Sequence, residues 1–286
     1  MPEGVSAASV PRDDRPVTLI EPPQGLDLAR LRELPKHRAL LAALVRRQIR
    51  LDFSRMHLGV AWAMARPLVM LGVFGLFRHL SEARIGVTIP YPLYLYAGLI
   101  YWFSFTETVT GVAGSIRRDA GLIRKVYYPR LLTPLVPVIA NLLSLTVASL
   151  PLVAMMAWWR IGPGWSILLL PLVVLQTSAL ALGLGLVFAA LTLASRDWER
   201  FLALALYVGL FVSPVIFGPE MIPEEALIAL YANPMAGTLL AFRAAIFDVL
   251  AFPWAAWSWS LACSIGILAA GVATFQRIER GLADRL

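Results

Sequence analysis

Glu107 stands out as an acidic side chain well inside a long apolar run. A charge at that depth in a membrane is costly, and such a residue usually faces protein or water. Glu107 therefore either makes a polar contact that lines a conduit or makes a structural hydrogen bond to a neighbouring helix. The paired carboxylates that an embedded hydrolase or a proton-coupled carrier would use are missing from the apolar runs.

Aromatic residues crowd the same run, with Tyr91, Tyr94 and Tyr96 at its start and Tyr101 and Phe105 farther in. The first three are typical of the aromatic belt at a membrane surface. Tyr101 and Phe105 continue the Tyr94 face at helical spacing, deeper than a belt needs to reach. Aromatic faces stack on sugar rings, so these residues either line a conduit or pack in the core. The predicted conduit lining comprises Tyr94, Tyr101, Trp102, Phe105 and Glu107.

Other residues capable of catalysis or metal binding are isolated. His37, His57 and His79 are scattered and are interpreted as interfacial polar residues, so no metal site is predicted. Cys263 is the only cysteine, which excludes an intrachain disulfide and argues against a cysteine-based metal site. A nucleotide-binding P-loop needs Gly-x4-Gly-Lys-Ser/Thr, and neither of the two lysines has that context. If ATP drives this protein, another subunit must bind it.

A basic segment, Ser115–Arg130, separates two long apolar runs. Of the 286 residues, 59% are hydrophobic and 15% are charged, whereas a soluble domain carries about a quarter charged residues. The sequence therefore predicts an all-α polytopic membrane protein, with apolar runs of roughly 20 residues as spans. A polar segment held between two spans lies on a membrane surface, where a soluble partner can push on it.

Six spans are predicted within one membrane domain, residues 58–276. They run over about Gly59–Leu80, Tyr91–Ser115, Leu131–Trp159, Trp165–Ala194, Phe201–Phe217 and Trp254–Phe275. A short polar loop, Ser195–Arg200, follows the fourth span. Residues 218–253 carry four acidic residues and one arginine, and they are predicted to form one or two short re-entrant or interfacial helices.

The N-terminal region divides into two parts. Residues 1–30, rich in proline and charge, are predicted to be a disordered cytoplasmic tail. Residues 31–57 follow as a basic amphipathic helix with apolar residues at spacings of three and four. This helix either lies in the membrane interface with its arginines toward lipid phosphates or packs on a partner as a soluble helix. The arginines in question are Arg46, Arg47, Arg50 and Arg55.

The distribution of charge predicts the orientation of the chain. The net charge of +7 does not indicate nucleic-acid binding, because the cations collect in segments on one side of the predicted spans. This is the positive-inside pattern, which also favours contact with anionic lipids. It places both termini, including residues 277–286, in the cytoplasm.

Several landmarks together resemble a known family. They are LRELPKHRALLAALVRRQIRLDFSRMHLGVAWAMARP (31–67), IPYPLYLYAGLIYW (89–102), LIRKVYYPR (122–130), SRDWER (195–200), SPVIFGPEMIP (213–223) and NPMAGTLLAFR (233–243). In this order they resemble the membrane subunits of ABC-2-type exporters, specifically the polysaccharide and polyol-phosphate export permeases. Two departures are Leu51-Asp52-Phe53, in place of a basic–aromatic pair, and Ser195 before Arg196-Asp197.

The resemblance implies a homodimer in the bacterial inner membrane with two separate ATPase subunits, which bind ATP and Mg. It implies that the interface helix gates substrate entry and that a coupling loop, residues 116–130, docks on the ATPase. The implied coupling residues are Gly121, Leu122, Ile123, Arg124, Lys125, Val126, Tyr127, Tyr128, Pro129 and Arg130. The implied substrate is a glycan on a polyprenyl or other lipid, such as O-antigen, capsule or teichoic acid.

Export of such a lipid-linked glycan, without a catalytic residue in this chain, is the leading functional hypothesis. The first alternative is an ABC-2 exporter of a drug, a haem-like molecule or a simple lipid. A membrane-embedded glycosyl- or phosphotransferase would need acidic or histidine clusters near the interface. An ion-coupled carrier would need more midplane charges than Glu107.

Overall fold

The computed structural model describes residues 34–54, 61–81, 89–123 and 128–279, and all the secondary structure in these ranges is helical. The predicted tail, residues 1–30, lies outside them. The α-helices of the described ranges are α1 (Arg38–Ser54), α2 (Ala61–Ser81), α3 (Tyr91–Arg118), α4 (Ala120–Ile123), α5 (Leu132–Trp159), α6 (Leu170–Ala194), α7 (Asp197–Val212), α8 (Glu224–Ala232), α9 (Pro234–Ile246) and α10 (Trp254–Glu279). Short 3-10 turns cover Leu34–His37, Trp165–Leu169 and Pro219–Met221.

Helix α3 lies at the centre of the fold, because it contacts α2, α5, α6, α7 and α9. Pro90 precedes it, and Pro92 lies in its first turn. A proline suits this position because a backbone N–H there has no helical partner. Most of its side chains are buried on every side, including Leu93, Leu95 and Leu99. A helix that is apolar over most of its surface belongs in a protein interior, and here other helices cover most of it apart from the face that carries Glu107.

Three of the described helical stretches are long and apolar enough to cross a membrane: Leu132–Trp159, Trp165–Ala194 and Trp254–Arg277. They coincide with predicted spans three, four and six. Helices α2 and α3 lie where spans one and two are predicted. Their crossing of the membrane, and that of α7, stays a prediction.

Two glycines allow α6 and α10 to pack closely. A Cβ on Gly183 would lie 2.6 Å from the backbone of Leu268, and a Cβ on Gly271 would overlap the carbonyl oxygen of Gly183. Close backbone approach through small residues is a common way for helices to associate in membranes, where hydrophobic burial does not distinguish protein from lipid. This contact attaches the last helix to α6, which itself packs on α3.

The fifth predicted span is wrong in its boundaries. Helix α7 runs over Asp197–Val212, so most of the predicted loop Ser195–Arg200 is the first turn of a helix. The Ser195 hydroxyl accepts a hydrogen bond from the Asp197 backbone N–H at this start. At the other end, Ser213 is extended because it precedes Pro214, and a residue before proline is disfavoured in the helical conformation.

The boundaries of the basic segment also differ from those predicted. Helix α3 continues to Arg118, beyond the predicted end of the span at Ser115, and α4 follows immediately. The section 218–253 contains two short helices, α8 and α9. Their predicted re-entrant or interfacial placement stays a prediction. Helix α9 is buried along most of its length.

Candidate functional site

Two ion pairs join α1, the basic segment Ser115–Arg130 and the polar segment Ser195–Arg200, which are predicted to share one membrane face. Arg47 Nη1 of α1 donates a hydrogen bond of 3.1 Å to Asp119 Oδ1, just after α3. Arg117, in the last turn of α3, pairs with Glu199 in the first turn of α7 and donates to the carbonyl oxygen of Thr192 in α6. The ends of α3, α6 and α7 therefore meet beside α1 at one end of the molecule.

The apolar face of α1 fixes this helix against α5. Leu44 and Val45 are buried against Val136 of α5, with Leu41 and Ile49 packed beside them. These side chains form one stripe at helical spacing. The sequence left open whether this helix packs on a partner, and the structure shows its apolar stripe packed on α5 of the same chain.

The four arginines predicted for the interface helix have different surroundings. Arg47 forms the ion pair with Asp119. Arg46 donates from Nε to the carbonyl oxygen of Ala42 within its own helix, 3.2 Å away, and Arg50 is exposed. Arg55 lies outside the described residues. Their role as a substrate gate stays a prediction.

The predicted coupling residues lie next to these ion pairs. Gly121, Leu122 and Ile123 belong to α4, directly after Asp119, and Gly121 is exposed. Tyr128 is buried, with its hydroxyl 3.0 Å from the Thr133 hydroxyl. Tyr128 therefore anchors the segment to α5, whereas the prediction groups it with residues that contact a partner. Pro129 and Arg130 are half-buried; Arg124, Lys125, Val126 and Tyr127 lie outside the described residues.

Glu107 faces a cation on the neighbouring helix. Glu107 Oε1 lies 3.7 Å from Arg66 Nη1 of α2, and the two side chains are 51% and 52% exposed. The Arg66 guanidinium also lies over the Phe103 ring, 4.0 Å from its centroid. The structure thus supports a contact of Glu107 with a neighbouring helix and leaves the pair open on one side.

Asn141 connects α5 to α3 beside this pair. Its Nδ2 atom donates to the Ser104 carbonyl oxygen and to the Thr108 hydroxyl, both at 2.6 Å. A small cavity there is lined by Asn141, Ser104, Glu107 and Arg66, among other residues. Polar side chains from three helices therefore converge at this cavity.

The aromatic side chains predicted to line a conduit are buried in the packing of the chain. Tyr101 stacks on Phe242 of α9, with ring centroids 4.1 Å apart, and its hydroxyl bonds to Thr177 of α6. Tyr94 donates from its hydroxyl to the carbonyl oxygen of Phe217, at 3.1 Å. The same burial applies to Trp102 and Phe105. In this conformation they contact other helices, and contact with a substrate stays a prediction.

Arg243 is a buried polar residue that was not among the predicted site residues. It is fully buried in α9, and it donates from Nε to the Tyr94 carbonyl oxygen at 3.2 Å, from Nη1 to that of Pro214 at 2.5 Å and from Nη2 to that of Val215 at 2.7 Å. Its guanidinium also lies 3.5 Å from the centroid of the Tyr94 ring. Gly98 makes room for it, since a Cβ there would overlap Arg243 Nη2. The signal in the sequence was an arginine within the apolar run TLLAFRAAIF.

Comparison with known proteins identifies the family. The sequence profile of the ABC-2 type transporter family matches residues 39–247. The chain belongs to the ABC-2 type transporter family. The family assignment made from the sequence landmarks is confirmed, and the matched region includes both ion pairs, the Glu107 contact and Arg243.

Three ABC-2 relatives are similar along most of their length. The O-antigen export system permease protein RfbA of Myxococcus xanthus is 30% identical over 76% of this chain and 84% of its own. The polysialic acid transport protein KpsM of Escherichia coli is 29% identical over 71% and 80%. The capsule polysaccharide export inner-membrane protein CtrC of Neisseria meningitidis serogroup B is 22% identical over 86% and 93%.

Proposed function

We propose that this ABC-2 protein is the permease subunit of an ATP-driven exporter that moves a lipid-linked polysaccharide across the bacterial inner membrane. The observation that carries the proposal is the similarity, over most of each chain, to permeases named for O-antigen, polysialic acid and capsule polysaccharide export. These names support a polysaccharide over a drug or a simple lipid. The chain itself supplies the path, and its partner supplies the ATPase site.

The partner is an ATPase subunit in two copies, beneath a homodimer of this permease. The family match supports the ATPase, since it places the chain among ABC-2 type transporters. Both termini and the basic segment lie in the cytoplasm, and α8 and α9 lie at the outer mouth. Residues 121–130 form the contact with the ATPase, and the partner holds ATP and Mg.

Force from the ATPase reaches the spans through the ends of the helices. Arg117 and Asp119 lie just before residues 121–130, the proposed coupling segment. Arg117 pairs with α7, and Asp119 pairs with α1. A displacement of α4 therefore acts on α1 through Arg47 and on α7 through Glu199. Because α1 also packs on α5 through Leu44, its movement is transmitted to a long span.

The exposed side of the Arg66–Glu107 pair faces a conduit at the dimer interface. A half-exposed ion pair among apolar spans is too costly to face lipid, so it faces a second copy or water. Phe103, Ser104 and Asn141 lie beside it and offer an aromatic face and polar groups of the kind that sugars contact.

The function is tested by deleting the gene in its own bacterium. Surface polysaccharide should disappear, and lipid-linked polysaccharide should accumulate inside the cell, because synthesis continues without export. The wild-type chain should restore surface polysaccharide. Surface polysaccharide that is unchanged after deletion would contradict the proposal.

The coupling assignment is tested in the same cells with Arg124→Glu together with Lys125→Glu. Reversing both charges should abolish export while the permease dimer remains intact, as measured by chemical crosslinking in membranes. Arg277→Glu, at an exposed arginine in the last turn of α10 and outside both the coupling segment and the interface helix, is the matched charge reversal. Normal export by the double variant would remove the coupling role from this segment.

A further inference from the structure

An apolar groove opens between α5, α6 and α9, at the end of the molecule where α5 ends and α6 begins. Its volume is about 610 Å³, within the range of about 300–1,000 Å³ that small-molecule pockets occupy. Leu152, Val153 and Met156 of α5 line one wall and Leu170 and Val174 of α6 another. Phe242 of α9 also lines the groove.

Among the described residues that line the groove, none offers a free polar side chain to a ligand. Its two hydroxyl side chains, Thr146 and Ser149, each donate at 2.8 Å to a carbonyl oxygen one turn earlier in α5. The other lining side chains are apolar. The turn Ile161–Pro163 also lines the groove and contributes backbone polar groups. A cavity of this kind takes up hydrocarbon and excludes water. It also lies between two of the helices that are long and apolar enough to cross a membrane.

The rim of the groove has the features of a headgroup region. Trp158 and Trp165, at the ends of the two long helical stretches, are 82% and 66% exposed, as is usual for tryptophans at a membrane interface. Arg160 follows α5 and is exposed, and it lies next to the lining residue Ile161. Asp248 is also exposed at this end, with its carboxylate against Gly164.

We propose that the groove binds one acyl chain of a phosphatidylethanolamine molecule from the surrounding bilayer, with its headgroup at Arg160 and Asp248. The cation suits the lipid phosphate and the carboxylate suits the ammonium group, so both charges of the headgroup have an opposite charge at the rim. Hydrocarbon fills the concave groove between α5 and α6. This inference goes beyond the export function and needs only that the chain lies in a bilayer.

The bound lipid would support the aromatic interior. Phe242, which lines the groove, stacks on Tyr101, and Tyr101 is joined to α6 through Thr177. An acyl chain against Phe242 therefore completes the packing of α5, α6 and α9 around α3.

The groove is tested with two substitutions on the same helix. Val153 and Leu150 are both 61% exposed, but only Val153 lines the groove. The full-length chain is placed in nanodiscs that contain equal amounts of phosphatidylethanolamine, phosphatidylglycerol and phosphatidylcholine, and retained lipids are counted by native mass spectrometry. Val153→Trp should remove the one retained phosphatidylethanolamine per chain, because the indole fills the groove, and Leu150→Trp should keep it. Equal retention by both variants overturns the proposal.

The headgroup contacts are tested with surface substitutions that leave the groove intact. Arg160→Asn suits the left-handed backbone at this position, where φ is 54°. It should weaken phosphatidylethanolamine retention by roughly two- to fivefold, as expected for an exposed ion pair. Asp248→Asn should remove the preference for phosphatidylethanolamine over phosphatidylglycerol, whose headgroup has no ammonium group to pair with the carboxylate.

Three results would overturn the assignment of the occupant. Retention of all three lipids in equal amounts by the wild-type chain removes the selectivity. Displacement of the retained phospholipid by added polyprenyl phosphate at equal concentration makes a carrier lipid the occupant. Loss of the dimer in Val153→Trp, with Leu150→Trp dimeric, makes the groove a subunit contact.

Discussion

At the residue scale, Arg243 explains how the segment after α7 is held against α3. The guanidinium has five donors in a planar fork, and three of them reach carbonyl oxygens from two separate segments. Two of these carbonyls, from Pro214 and Val215, follow the C-terminal end of α7, where the helix dipole is negative and favours a cation. Arg243 is therefore stabilised in the interior by backbone oxygens and by the Tyr94 ring.

The space beside Arg243 gives a stability prediction. Gly98→Ala places a Cβ against Arg243 Nη2 and 2.9 Å from the Val215 carbonyl oxygen, so the three hydrogen bonds must rearrange. We expect a loss of about 2 kcal/mol, in line with overpacking of a core, and an apparent Tm lower by about 4–8 °C. Fluorescence-detected size-exclusion chromatography after heating measures it.

Gly114→Ala is the matched control, because it lies on the same helix and its Cβ would meet no atom of the described residues within 4 Å. That substitution should leave the apparent Tm unchanged or raise it, since alanine favours a helix over glycine by up to about 1 kcal/mol. Equal melting of the two variants would show that Gly98 does not make room for Arg243.

The sequence could not predict the contacts of Arg243. Its partner Tyr94 lies 149 positions away, and hydropathy reports only that an arginine interrupts an apolar run. The prediction for Glu107 is partly successful. The free-energy cost of a charge in a membrane predicted that this carboxylate would face water or a protein neighbour. The identity of that neighbour, Arg66, depends on how α2 and α3 pack, and no spacing within one helix determines that.

At the element scale, whether a helix boundary agrees with the predicted span depends on the sequence signal at that boundary. The start of α3 at Tyr91, the α5 helix up to Trp159 and the start of α10 at Trp254 agree with the predicted spans because prolines or polar residues flank them. Helix α7 differs, since hydropathy continues past Val212 while Pro214 ends the helix. Local backbone chemistry therefore overrides the apolar run at that point.

The pairing of α1 with the end of α3 gives a prediction for export. Arg47→Glu and Asp119→Arg should each reduce export several-fold, because each places two like charges beside the proposed coupling segment. The double variant should recover most of the wild-type rate, because it restores an ion pair with reversed signs. Surface polysaccharide per molecule of permease is the measurement.

Loss of the pair should change stability by about 1 kcal/mol, the upper end of the range for exposed ion pairs, because Arg47 is 54% exposed but Asp119 only 14%. An equal expression level and an equal apparent Tm in all three variants would separate a functional effect from misfolding. Failure of the double variant to recover export would mean that Arg47 and Asp119 act separately.

At the scale of the whole molecule, the surface of the chain has two chemically different faces in its apolar part. The outer face of α10 is apolar, with Ile265 61% exposed. The α2–α3 face carries the half-exposed Arg66 and Glu107 beside Asn141 and Ser104. Lipid can solvate the first face. The second needs water or another protein chain, which fits a conduit between two copies.

This difference predicts the reactivity of introduced cysteines. In a Cys263→Ala background, Glu107→Cys should react with a water-soluble maleimide in native membranes, because a thiolate forms only where water reaches the sulfur. Ile265→Cys should stay unlabelled, because hydrocarbon surrounds it and keeps the thiol protonated. If the partner ATPase opens the conduit, adding ATP should raise the rate at Glu107→Cys and leave that at Ile265→Cys unchanged. Equal labelling of the two cysteines would show that the α2–α3 face is no more hydrated than α10, and it would contradict the proposed conduit at this face.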